Sequence, residues 1–136
     1  DGSQSELRQV SSLHSVIISI KEWETGTTIG YSRRGVLTRN SRIATIPIGY
    51  ADGIDRHLGN GNAHVIINGT LCPTVGNICM DICMVDVTDA ICNVGDKVEI
   101  FGENIPVTQI ASQLDTIPYE ILTSISQRVK RVYYRE

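Results

Sequence analysis

Ala63-His64-Val65-Ile66-Ile67-Asn68-Gly69-Thr70-Leu71-Cys72 is the stretch that decides the fold. Two short apolar runs, rich in β-branched residues, flank Asn68-Gly69. Both turn residues tolerate the positive φ that a two-residue type I′ turn requires, so the segment predicts a β-hairpin. Outward from it the same texture recurs. Residues 13–20, 26–31, 42–48, 75–79, 83–87, 97–101 and 129–134 each read as short strands, bounded by Gly, Pro, Asn or Asp. Residues 51–62 are turn-rich without a sustained period and read as a loop. Only late does the period change. Val107, Ile110, Ala111 and Leu114 recur at three and four residues, which predicts an amphipathic helix with Thr108 as N-cap. Ile117, Ile121, Leu122 and Ile125 predict a second short helix near Pro118. The expected fold is mainly β, a β-barrel or curled antiparallel sheet with short helices near its C-terminal end.

Composition narrows the class. The 136 residues suffice for one domain with a core that needs neither disulfide nor metal. Residues 1–12 are polar and read as a linker or disordered segment, leaving 13–136 as the domain. Twelve basic against fifteen acidic residues give a net charge of −3, which argues against a nucleic-acid footprint. One Trp, one Phe and five Tyr leave a core that must be mostly aliphatic, with phenols as the main polar-tipped aromatics. The longest apolar run, Val16-Ile17-Ile18-Ser19-Ile20, is far short of the roughly 20 residues of a membrane span. The polar start shows no export leader. Cys72, Cys79, Cys83 and Cys92 therefore read as reduced thiols in a cytoplasmic protein.

Spacing alone yields no reaction site. Cys79 and Cys83 have three residues between them and no second matched pair, so they read as structural thiols with no metal. Gly59-Asn60-Gly61 lacks a third glycine and reads as a turn, not a phosphate cradle. Asp81 and Asp86 lie five apart in strand-like sequence and would face opposite sides of a sheet. Asp52 and Asp55 read as solvated loop acids.

Read as whole strings, the loops say more. Gly30-Tyr31-Ser32 precedes Ile46-Pro47-Ile48-Gly49-Tyr50-Ala51-Asp52-Gly53, with Arg56 beyond. Then follow Val75-Gly76-Asn77-Ile78-Cys79-Met80-Asp81, Thr116-Ile117-Pro118-Tyr119-Glu120 and Ile125-Ser126-Gln127-Arg128-Val129. In this order and spacing, from about residue 13 to the end, the chain resembles the C-terminal domain of bacterial alanine racemases. The Gly-Tyr-Ala-Asp-Gly and Cys-Met-Asp strings together carry the specificity.

The resemblance implies a pyridoxal 5′-phosphate enzyme that interconverts L- and D-alanine for peptidoglycan synthesis. Its cofactor sits on a lysine of an N-terminal α/β barrel, which this chain lacks, so the chain is expected to be a fragment that is inactive alone. The implied partners are that barrel, in the same and the partner subunit of a homodimer, and alanine as substrate; neither nucleic acid nor membrane is expected. By the same resemblance Tyr31 matches the catalytic tyrosine, serving one face of the substrate while the lysine serves the other. Met80 matches a residue whose backbone N–H meets the substrate carboxylate. Tyr119 matches a tyrosine near the cofactor phosphate. Tyr50, Arg56, Asp81 and Ile117 match residues of the access corridor. Asn77 departs from relatives that carry arginine there. Two other readings stand beside this one: a racemase of broader specificity with the same fold, and a non-catalytic binding or assembly module.

Overall fold

The computed structural model describes residues 12–26, 28–29, 35–36 and 39–129. The strands are β1 (Leu13–Val16), β2 (Ser19–Trp23), β3 (Thr28–Ile29), β4 (Gly35–Val36), β5 (Ser41–Ile46), β6 (His64–Ile67), β7 (Thr70–Val75), β8 (Cys83–Asp86) and β9 (Lys97–Phe101). Two helices follow, α1 (Val107–Gln113) and α2 (Pro118–Ser124). Seven strands form one antiparallel sheet in the order β1-β9-β6-β7-β8-β5-β2, and β3 pairs with β4 in a separate ribbon.

This strand order dictates the curvature. β1 and β2 occupy opposite edges of the sheet, yet only Ile17 and Ile18 separate them. Three peptide steps reach at most roughly 11 Å, so the sheet must curl until its edges nearly meet. The two linking residues make the handover. Ile17 donates its N–H to the Asp96 carbonyl on the β9 side at 3.0 Å, and Ile18 donates to the Thr45 carbonyl of β5 at 3.0 Å. The expected single strand over 13–20 is therefore two, because each half satisfies its backbone against a different edge.

The hairpin forms as read. Asn68 and Gly69 have φ of 48° and 83°, and Ile67 pairs with Thr70 beyond them. Burial alternates along β6, β7 and β8, as expected for one face turned inward. Ala44, Ile46, Ile67, Val85, Val87 and Val98 are fully enclosed, and Phe101 is the aromatic exception in this aliphatic core. The outer face holds a smaller cluster of Trp23, Val75 and Met84 around Ile43.

Three local expectations change. β7 ends at Val75 and residues 76–82 are irregular, so no strand covers 75–79. Gly76, at φ 69°, turns the chain out of the sheet, and its carbonyl accepts from the Asn60 N–H at 2.7 Å. The loop over 51–62 contains two 3-10 turns, Tyr50–Asp52 and Arg56–Leu58. The N-cap of α1 is Pro106, not Thr108, which lies inside the helix. Pro106 has the φ of −61° its ring imposes, and the helix begins at the next residue. The expected strand at 129–134 lies almost wholly outside the described residues, and Val129 is not in a strand. No helix of the described residues is long and apolar enough to cross a membrane.

The closed curl predicts a stiff, intolerant core. Ile67→Ala, at a side chain with no exposure, is expected to cost about 2–5 kcal/mol of stability in urea denaturation.

Candidate functional site

The two strings that carried the resemblance meet in space. The turn after β5 runs alongside the irregular segment before β8. Tyr50 donates its N–H to the Cys79 carbonyl and Ala51 donates to the Met80 carbonyl, each at 2.9 Å. The approach is close because residue 49 is glycine. A Cβ there would stand 2.2 Å from the Cys79 oxygen and 2.5 Å from the Met80 oxygen, where backbone cannot give way. The Met80 carbonyl is thereby engaged, while nothing among the described residues accepts from the Met80 N–H.

A charge layer locks this splice. Asp52 is buried, and its carboxylate accepts from the Gly49 N–H at 2.9 Å and from Arg128 Nε at 2.5 Å. The same guanidinium donates through Nη2 to Asp81 at 2.5 Å. The Arg128 hydrogen bond holds the Asp52 carboxyl below its ordinary range, against the opposing effect of burial. The paired carboxylates in turn raise the Arg128 pKa. The third segment is laid against the turn by its backbone. Ser126 donates its N–H to the Asp52 carbonyl at 2.9 Å. Gly53, at φ 109°, leaves room that a Cβ would close to 2.4 Å from the Ser124 carbonyl oxygen.

Around this splice stand most of the residues singled out by sequence. Met80 is 53% exposed and Tyr50 is 37% exposed. The Arg56 guanidinium lies over the Tyr50 ring, 5.5 Å from its centre. Asp81 is exposed beside Met80, in the turn before β8 and not in a strand, so it shares no sheet with Asp86, which pairs with Arg39 across 3.6 Å. Ile117 and Tyr119 are 60% and 72% exposed, just before and within the first turn of α2. A cavity of about 410 Å³ is lined by Tyr50 and Arg56 together with Thr116 and Glu120. Tyr31 lies outside the described residues. Asn77 accepts from Asn60 Nδ2 at 3.0 Å, which joins the neighbouring turns without a charge.

Two residues escaped sequence reasoning. Asp52 read as a solvated loop acid, whereas it is buried and paired. Arg128 drew no reading of its own, and its bond to Asp52 spans 76 positions of sequence. The strings containing them were the available signal; their contact was not. Asp55 is the exposed acid expected, and it caps the second 3-10 turn through the His57 N–H at 2.8 Å. All four cysteines are free thiols. Burial pushes Cys83 up to about 12 and Cys72 up to about 11, so both stay protonated near neutrality and act as packing groups.

The comparisons with known proteins identify the family. The family described as alanine racemase, C-terminal domain, matches residues 10–133. The chain belongs to that family. It is 46% identical over 141 residues to the alanine racemase of Clostridium novyi, covering 99% of this chain and 36% of that protein. It is 43% identical over 134 residues to alanine racemase 1 of Caldanaerobacter subterraneus subsp. tengcongensis, covering 95% of this chain and 34% of that one. Among solved structures, the alanine racemase of Clostridium difficile 630 in complex with cycloserine superposes with a TM-score of 0.82 at 44% identity, over 87% of this chain and 32% of its own. The Bartonella henselae alanine racemase with covalently bound pyridoxal phosphate gives 0.85 at 38% identity, over 90% and 34%. The chain thus spans about a third of the length of the relatives it matches.

The alanine racemase domain should owe part of its acid sensitivity to Asp52. Its folded pKa lies below the unfolded value near 3.8, so its contribution is complete above that pH and is lost as pH falls through the folded value. Asp52→Asn is expected to cost about 1–3 kcal/mol at pH 7, where the buried Gly49 N–H and Arg128 lose their charged acceptor. The gap to the native chain should narrow below pH 4 in denaturation curves taken across pH. A gap independent of pH would show that the carboxylate charge contributes nothing.

Proposed function

We propose that this domain serves a full-length alanine racemase, a pyridoxal-phosphate-dependent isomerase that interconverts L- and D-alanine. The family match over residues 10–133 carries the reading. The chemistry needs two bases on opposite faces of the α-carbon, because inversion removes a proton from one side and returns one to the other. Pyridoxal phosphate, when bound by the barrel, supplies the electron sink that makes the α-proton removable.

This chain's residues divide the remaining work. Tyr31 takes or returns the proton on one face through its phenol. Its ordinary pKa near 10 means it needs cationic or hydrogen-bonding neighbours to hold the anion. Met80 offers its N–H to the substrate carboxylate. A backbone donor suits that task because the Cys79 carbonyl, in the same peptide plane, is already held by the Tyr50 N–H. Tyr119 would stand near the cofactor phosphate, where its hydroxyl could help to hold it. Its exposure, and the lack of a partner for that hydroxyl among the described residues, suit a group completed from outside. Tyr50, Arg56, Asp81 and Ile117 border the corridor by which alanine enters and larger amino acids are refused. The parent enzyme works as a cytoplasmic homodimer, each active site built from the barrel of one subunit and this domain of the other, and its product supplies peptidoglycan synthesis.

Tyr31→Phe in the full-length protein tests the assignment. Loss of about 10²–10⁴-fold in L-to-D turnover, with the cofactor's absorbance unchanged, is expected. Turnover within a few-fold of the native enzyme would remove Tyr31 from the proton transfer.

A further inference from the structure

We propose that Arg128 is a positioning residue for the substrate-carboxylate site, setting the Met80 N–H and the Asp81 carboxylate through its two ion pairs. The inference rests on the reading of Met80 given above and deepens it.

The Met80 N–H sits in an irregular segment, outside any strand ladder. Its orientation comes from what holds residues 79–81. Two of those constraints are the backbone bonds from Tyr50 and Ala51, and both originate in the turn over 49–53. That turn is shaped by Asp52, whose carboxylate reaches back to the Gly49 N–H. Arg128 joins the two halves. Nε holds Asp52 on the turn and Nη2 holds Asp81, the residue next to Met80. One planar guanidinium therefore fixes the separation between the turn that supplies the splice and the residue beside the donor. Its own backbone is tied to the same turn, through the Ser126 N–H to the Asp52 carbonyl and the Arg128 N–H to Ser126 Oγ at 3.2 Å.

Rigid fork geometry matters here. Arg presents Nε and Nη2 donors in one plane, so both carboxylates are held at once. Lys offers a single ammonium on a flexible stem and can hold either carboxylate but not both at these positions. The Asp81 side chain is 62% exposed, and this pair is the contact that orients it. Without Arg128 the backbone bonds of Tyr50 and Ala51 remain, so the N–H is loosened, not lost.

The carboxylate of alanine is bound similarly before and during proton transfer. Weakening its donor should therefore raise KM and leave kcat nearly unchanged. In the full-length enzyme loaded with cofactor, Arg128→Met is expected to raise the KM for L-alanine about three- to tenfold, with kcat within about twofold. Arg128→Lys should recover part of that loss. Asp81→Asn removes an exposed partner without burying anything new, and it should raise KM by less. The Arg128→Met effect should then shrink in the Asp81→Asn background, because the two variants remove a shared interaction. If Arg128→Met does not fold, the lysine variant and Asp81→Asn decide alone. An unchanged KM in the folded variants, or a fall in kcat at constant KM, overturns the proposal. Failure of the native full-length enzyme to racemise alanine would overturn the functional reading itself, so the two failures are distinguishable.

Discussion

Two backbone hydrogen bonds, Tyr50 N–H to the Cys79 carbonyl and Ala51 N–H to the Met80 carbonyl, splice the turn after β5 to the segment before β8. The arrangement of the candidate site depends on them. They require glycine at 49, since any Cβ would enter the space of the carbonyl oxygens. They also require that β7 stop early, which Gly76 does by turning the chain out of the sheet. A continued strand over 75–79 would commit those carbonyls to a ladder and leave none for the turn. The curled sheet beneath supplies the rigidity, because the short Ile17-Ile18 link makes both its edges part of one continuous segment.

Above the splice, charge does what packing does below it. Asp52 is a buried carboxylate, and such a group is tolerable only when its oxygens are satisfied. One oxygen takes the Gly49 N–H and the other takes Arg128. The guanidinium then has donors left over, and Asp81 uses one of them. The result is a surface in which Met80, Asp81 and Tyr50 face outward from fixed backbone. Ile117 and Tyr119 stand exposed just before and within the first turn of the second helix. Exposed apolar and aromatic groups such as these suit a surface that meets something else. In the proposed enzyme that something is the cofactor-bearing barrel.

The fold was largely legible, and the site in part. Asn68-Gly69 announced its hairpin because the φ preference is local. The late helices announced themselves through spacing, although Pro106 and not Thr108 starts the first. What failed were features set by distant partners. The 13–20 strand reads as one run because both halves have the same β-branched texture; only the two edges of the sheet divide it. Asp52 looked like any loop acid, because its burial depends on Ser126 and Arg128 far along the chain. Arg128 was invisible as an individual for the same reason. The positions carried over by resemblance, Tyr50, Arg56, Met80 and Asp81, do gather in one region, and what each does there is a matter for the full-length enzyme.

The central claim is that this domain completes an active site on another subunit. Mixing two inactive full-length variants tests it most directly. One carries Tyr31→Phe in this domain; the other lacks the cofactor lysine of the barrel. After dissociation and random reassociation, half the dimers are mixed, and a shared site leaves one intact centre in each. Racemisation should then return to about a quarter of the native level. No recovery, despite demonstrated subunit exchange, would contradict a site shared between subunits.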